Sequence, residues 1–142
     1  MGPSKIASVA ALVGGVAWLA NVGLIWGNGG EKTDGGLVAV SFVLGIVALG
    51  VAVLAGGYST VTTAPLWLRM LVSLAALALG WIVFASIDSA AKGAYAGDGW
   101  LGDELGVLIC ALIALIAGTA GLLRTRATAP PASRRPGHRA AR

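Results

Sequence analysis

The stretch LVAVSFVLGIVALGVAVLAGG, residues 37–57, runs for 21 residues without a charged side chain. An α-helix rises about 1.5 Å per residue and the hydrocarbon core of a bilayer is about 30 Å thick, so about 20 apolar residues are enough to cross it. The apolar residues follow one another instead of alternating with polar ones, which favours a helix over a strand of a membrane barrel. This stretch therefore predicts a transmembrane helix.

Three further segments meet the same criterion. They predict helices over residues 6–26, 66–87 and about 101–123. The only charges in them are Arg69, near the start of the third helix, and Asp103 and Glu104, in the first turn of the fourth. Because the connections are short, neighbouring helices are expected to run antiparallel. The predicted fold is an all-α membrane protein with four transmembrane helices in an antiparallel up-down-up-down bundle.

The composition of the whole chain agrees with a membrane protein. Of its 142 residues, 57% are hydrophobic and 11% are charged, and the mean hydropathy is +0.86. Soluble domains have about 25% charged residues, because a small domain in water must cover its surface with them. This composition argues against a soluble fold.

The distribution of basic residues predicts the orientation in the membrane. With the N-terminus inside, the inner side carries Lys5, Arg69 and six tail arginines, whereas the outer loops hold only Lys32 and Lys92. Lys and Arg are enriched in cytoplasmic loops. The basic residues thus predict that both termini lie in the cytoplasm. The bias of the composition toward Ala, Gly, Val and Arg is compatible with a high-GC bacterium, so the sequence predicts a multi-pass protein of a bacterial inner membrane.

Aromatic residues agree with these segment ends. Trp26, Trp67 and Trp100 lie at predicted helix ends, where the membrane interface favours them. Trp18 and Trp81 lie within their spans, and we expect both to fill packing space.

The C-terminal segment 124–142 has three prolines and no large apolar residue, so we expect a disordered basic tail on the cytoplasmic side. Its arginines are predicted to bind anionic lipid headgroups, and no nucleic acid is expected. These residues are Arg124, Arg126, Arg134, Arg135, Arg139 and Arg142.

Small residues recur every four positions in the fourth helix and form one narrow stripe. The stripe consists of Gly102, Gly106, Cys110, Ala114 and Gly118. Small side chains let a second helix approach closely, so that dispersion contacts accumulate. Two uses are open: packing within this bundle, which we favour, or docking of a partner subunit or a second copy of the chain.

Asn21 and Ser41 are polar residues at membrane depth. An amide surrounded by hydrocarbon needs a partner, and Ser41 on the second helix should lie at a similar depth. We expect a hydrogen bond between them; the alternative is that Asn21 lines a polar pathway.

Residues for chemistry are sparse. Cys110 is the single cysteine, so the chain offers no thiol pair, and no acid or histidine lies near a serine at membrane depth to act as a base. The acids are scattered among glycines or placed at a helix start. We expect no enzyme activity, no cofactor and no metal site.

Two functions fit these features. The first is a structural or accessory subunit of a membrane complex, with membrane lipids and a membrane-protein partner or a second copy as its partners. The alternative is a small transporter or pore for a neutral or lipid-like solute. A hole-forming lysis protein is a third, more distant interpretation.

Overall fold

A computed structural model describes residues 1–31, 36–95 and 99–127 of the chain. All regular structure among these residues is helical. The four helices are α1 (Pro3–Gly27), α2 (Gly36–Thr60), α3 (Leu66–Ala94) and α4 (Trp100–Ala127). Each is long and apolar enough to cross a membrane. The chain is therefore an all-α, multi-pass membrane protein, as the sequence predicts.

Helix α1 packs against α2 and α4, and α3 packs against the same two helices from the opposite side. Contacts show the direction of each pair. Gly14 near the middle of α1 meets Leu49 of α2, whereas Asn21, later in α1, meets Ser41, which is earlier in α2. The other adjacent pairs follow the same rule, so the bundle runs up-down-up-down and both ends of the helical chain lie at one end of it.

The α1–α2 contact is built around Trp18 and Gly45. The indole of Trp18 lies directly on Gly45, where a β-carbon would overlap the ring. Its Nε1 donates a hydrogen bond of 3.2 Å to the Phe42 carbonyl oxygen, one turn away. Since Trp18 is only 4% exposed, a missing side chain on α2 provides the space for a buried tryptophan ring of α1.

Burial differs strongly among the helices. Helix α1 buries eight residues and α4 buries seven, whereas α2 buries four and α3 buries only Ser73 and Ala91. Large apolar side chains point outward instead: Val47 is 57% exposed and Ile116 is 71% exposed. Surfaces of this kind suit lipid as the surrounding solvent, and they leave α3 the most loosely packed helix.

The helices are longer than the sequence predicts. Helix α3 continues seven residues beyond position 87 to Ala94, and Asp88 and Lys92 pair along this extension at 2.7 Å. An i, i+4 pair of opposite charge supports helix beyond the apolar segment. Trp81 is a correction: it is 60% exposed on α3 and does not fill packing space as Trp18 does.

The turn between α1 and α2 approaches the start of α4. Gly30 has a φ of +89°, a left-handed conformation that glycine adopts without steric cost, and it lies against the ring of Trp100. This contact joins two helices at the end of the bundle opposite to the chain termini.

Gly45→Ala is expected to lower the free energy of unfolding by about 1 to 3 kcal/mol, because the new methyl group displaces the Trp18 ring from a close-packed position. The measurement is SDS-induced unfolding in detergent micelles, followed by tryptophan fluorescence. Gly56→Ala is the matched control: nothing lies within 4 Å of its β-carbon position on the same helix. The control should be neutral or more stable by up to about 1 kcal/mol, and an equal loss in both variants would contradict the role given to Gly45.

Candidate functional site

A cavity lies inside the bundle where all four helices present small side chains. The small residues that line it are Ala7 and Ala11 of α1, Gly50 and Ala52 of α2, Ala78 and Gly80 of α3, and Ala114 and Ala117 of α4. Small side chains facing one another across a bundle leave its centre unfilled. The resulting volume is about 1100 Å³, slightly above the roughly 300 to 1000 Å³ typical of ligand pockets.

A layer of aromatic rings closes the cavity toward the end of the bundle that carries Gly30. The Trp18 ring lies 5.2 Å from that of Phe84 on α3 and 6.2 Å from that of Phe42 on α2, measured between centroids. Beyond this layer Trp18 packs with Val22 and Val107 in the buried core. The centre of the bundle is thus filled in one half and open in the other, where neighbouring helices still contact each other closely at Gly14, Gly57 and Gly118.

The cavity wall offers almost no polar group to a ligand. The Ser8 hydroxyl donates to the Ser4 carbonyl oxygen at 3.0 Å, and the Trp18 Nε1 is occupied by Phe42. Among the described residues, no charged side chain lines the cavity. Apolar cavities stay dry, so hydrocarbon rather than water is the expected filling.

The cavity opens to the outside of the bundle along α3. Trp81 and Val83 line it and are 60% and 55% exposed, so their side chains face both the cavity and the membrane. Because α3 is the least buried helix, the route of access lies beside it. A molecule in the bilayer can therefore reach the cavity sideways without passing through water.

The small-residue stripe of α4 contacts other helices of the same chain. A β-carbon at Gly106 would lie 2.6 Å from the Cα of Asp88 on α3, and one at Gly118 would lie 2.8 Å from the Ser8 carbonyl oxygen on α1. Gly102 lies beneath the ring of Tyr95. The other two members, Cys110 and Ala114, line the cavity. These positions favour the interpretation that the stripe packs this bundle.

Asn21 and Ser41 meet as the sequence indicates. The Asn21 amide donates to Ser41 Oγ at 3.3 Å and, more closely, to the Val38 carbonyl oxygen at 2.8 Å. Ser41 also donates to Val38 O at 3.0 Å. Since Asn21 is 2% exposed and its amide is engaged with α2, the geometry gives it a packing role instead of a place in a polar pathway.

The basic tail lies only partly within the described residues. Arg124 and Arg126, assigned to the tail from the sequence, belong to the last turn of α4, which ends at Ala127. Cationic side chains in a last turn interact favourably with the helix dipole. The four remaining arginines lie outside the described residues: Arg134, Arg135, Arg139 and Arg142.

Sequence reasoning missed the cavity. Its lining alternates small and large residues without a motif in any single helix, and what makes the cavity is the alignment of Ala and Gly across four helices. That alignment depends on the register of each helix pair, which one sequence does not reveal. The available signal in the sequence was a glycine in the middle of each of two neighbouring helices. These are Gly50 of α2 and Gly80 of α3.

Asn21→Leu is expected to lower the free energy of unfolding by about 0.5 to 2 kcal/mol, because Val38 O and Ser41 lose an interhelical donor. SDS titration in micelles measures the change. Ser86→Ala is the control, since that hydroxyl is exposed and donates only to Ile82 O of its own helix. An Asn21→Leu protein as stable as the parent would show that this hydrogen bond does not hold α1 to α2.

Comparison of the chain with protein-family models, with curated proteins and with solved structures finds no match. The strongest feature available is the cavity of about 1100 Å³ that opens along α3.

Proposed function

We propose that this protein is a non-catalytic membrane protein that takes up the apolar part of a lipid-like molecule from the bilayer into its central cavity. The observation that carries the proposal is the apolar cavity lined by all four helices and open beside α3. Of the two functions that fit the sequence, this proposal develops the second, in which the protein handles a lipid-like solute.

Three properties of the cavity support a lipid-like ligand. Its volume of about 1100 Å³ is that of a large ligand site. Its wall lacks charge, so a polar solute would lose its hydration without compensation. Its length also suits a chain: Leu74 and Phe84 of α3 both line it, and 10 residues of helix correspond to about 15 Å.

Binding rather than conversion fits the side chains around the cavity. The Ser8 hydroxyl is hydrogen-bonded to its own helix, and Cys110 is the only other nucleophile in the lining. Among the described residues, the lining contains no carboxylate or imidazole that could act as the base a nucleophile needs. Asp88, which packs on Gly106 one helical turn from Cys110, is paired with Lys92. We therefore propose no enzymatic step.

The geometry supports a binding site more directly than a continuous pore. The aromatic layer of Trp18, Phe42 and Phe84 lies across the path through the bundle. Transport would require this layer to open. Flux of a neutral solute into liposomes tests transport separately from binding.

Gly50→Leu is expected to reduce ligand uptake, because Gly50 lines the cavity and its β-carbon would have only Leu77 Cδ1 nearby, at 3.9 Å. The leucine side chain can thus enter the cavity without displacing the backbone. The measurement is retention of a neutral apolar fluorophore by the purified protein in detergent, read as the increase in fluorescence on binding.

Gly23→Leu is the matched control for that experiment. Gly23 is exposed on α1, and nothing lies within 4 Å of its β-carbon position. It receives the same side chain on the outer surface, and uptake should stay at the parent level. Equal uptake by the parent and Gly50→Leu proteins would contradict a ligand site in this cavity.

An accessory-subunit function stays a prediction. It is tested by a mild-detergent pull-down, which should bring down a stoichiometric membrane partner. Gly106 is unsuitable as a variant for this purpose, because a side chain there would collide with Asp88 of the same chain.

We also propose that both termini lie in the cytoplasm of a bacterial cell, on the basis of the basic residues at that end of the bundle. Fusions of a phosphatase that is active only after export and of a cytoplasmically active fluorescent protein test this. The C-terminal fluorescent fusion should be bright and the phosphatase fusion silent. The reverse pattern would overturn the orientation.

A further inference from the structure

Charge is separated along the axis of the bundle. The end at which the helical chain begins and finishes carries positive charge on three helices: Lys5 on α1, Arg69 on α3, and Arg124 and Arg126 on α4. The acidic residues that the structure describes all lie toward the opposite end, and they are Glu31, Asp88, Asp103 and Glu104. We call the first of these the basic end.

The cavity extends toward the basic end. Ala7 and Ser8, which line it, follow Lys5 within one helical turn. Leu74, the first lining residue of α3, follows Arg69 by five residues, about 7.5 Å along the helix axis. The positive charges therefore lie close to the part of the cavity farthest from the aromatic layer.

Arg69 is held in place at this end. Its guanidinium lies over the Tyr58 ring, 5.4 Å from the centroid, and its Nε donates to the Ala64 carbonyl oxygen at 2.9 Å. These contacts fix a positive charge between the end of α2 and the start of α3. A charge fixed by the protein attracts an anion without first having to be ordered.

A ligand with an apolar chain and a polar headgroup fits the cavity in one orientation, with the headgroup toward the basic end. The rings of Trp18 and Phe84 and the packed core behind them close the other direction. We propose that the ligand is an anionic membrane lipid, with one hydrocarbon chain in the cavity and its headgroup among Lys5, Arg69 and Arg126. This inference rests on the proposed function and adds the charge and the orientation of the lipid.

The test is competition between two lipids that differ only in headgroup charge. The full-length protein is delipidated in neutral detergent and given equal amounts of phosphatidylglycerol and phosphatidylcholine with identical chains. Retained lipids are then counted by native mass spectrometry. We expect an excess of phosphatidylglycerol that falls as salt is raised, because salt screens exposed charges.

Three variants localise the effect. Removing two exposed charges in Lys5→Gln/Arg126→Gln should lower the phosphatidylglycerol excess by roughly fivefold for each charge. Lys92→Gln, at the acidic end, removes a charge without changing the excess. Gly50→Leu should reduce retention of both lipids.

The outcomes separate this inference from the proposed function. Equal retention of both lipids by the parent protein would overturn the anionic specificity and leave the cavity as a lipid site. An amount of retained phosphatidylglycerol that is undiminished in Gly50→Leu would also overturn it, since the basic residues would then attract headgroups at the surface alone. Retention of neither lipid would overturn the proposed function, and this inference with it.

Discussion

The close approach of α1 to α2 at Gly45 is the contact on which the rest of the bundle depends. It lets the Trp18 indole lie between two helices, where its Nε1 meets the Phe42 carbonyl oxygen and its ring meets Phe84 on the opposite helix. One side chain thereby connects three helices. Between surfaces immersed in lipid there is no hydrophobic driving force, so association relies on such packing and on interhelical hydrogen bonds.

The same physics explains why the centre of the bundle is filled in one half and open in the other. In water, an apolar cavity beside a loosely packed helix would favour collapse, because apolar surface is costly to hydrate. In a bilayer, lipid chains fill the space as well as protein side chains do. Helix α3 can therefore remain in place with only Ser73 and Ala91 buried, and the opening beside Trp81 carries little penalty.

The fold was predictable from the sequence because its signals are local and long. Uninterrupted apolar segments of about 20 residues specify a membrane helix without reference to any other part of the chain. The pairing of Asn21 with Ser41 followed from depth alone, since an amide in hydrocarbon must find a partner. The helix ends were less predictable: α3 extends past its apolar segment, where the Asp88–Lys92 pair lies, and α4 includes Arg124 and Arg126.

The candidate site was not predictable, because it depends on which side chains of different helices face each other across the bundle. Trp18 and Trp81 occupy equivalent mid-span positions in the sequence, yet the first is buried in the core and the second lines an opening to the membrane. Gly45 and Gly50 are likewise only five residues apart on α2. The first accommodates an indole and the second leaves space. Helix register decides both differences.

Cys110 allows the most direct test that the cavity is open to lipid. It is the single cysteine of the chain and it lines the cavity. A small fluorinated label on this thiol, in protein reconstituted into bilayers, reports contact with dissolved oxygen, which concentrates in hydrocarbon, and with a water-soluble paramagnetic nickel complex. If the cavity is open to lipid, oxygen broadens the fluorine signal strongly and the nickel complex broadens it little. Strong broadening by nickel, or by neither agent, would contradict it.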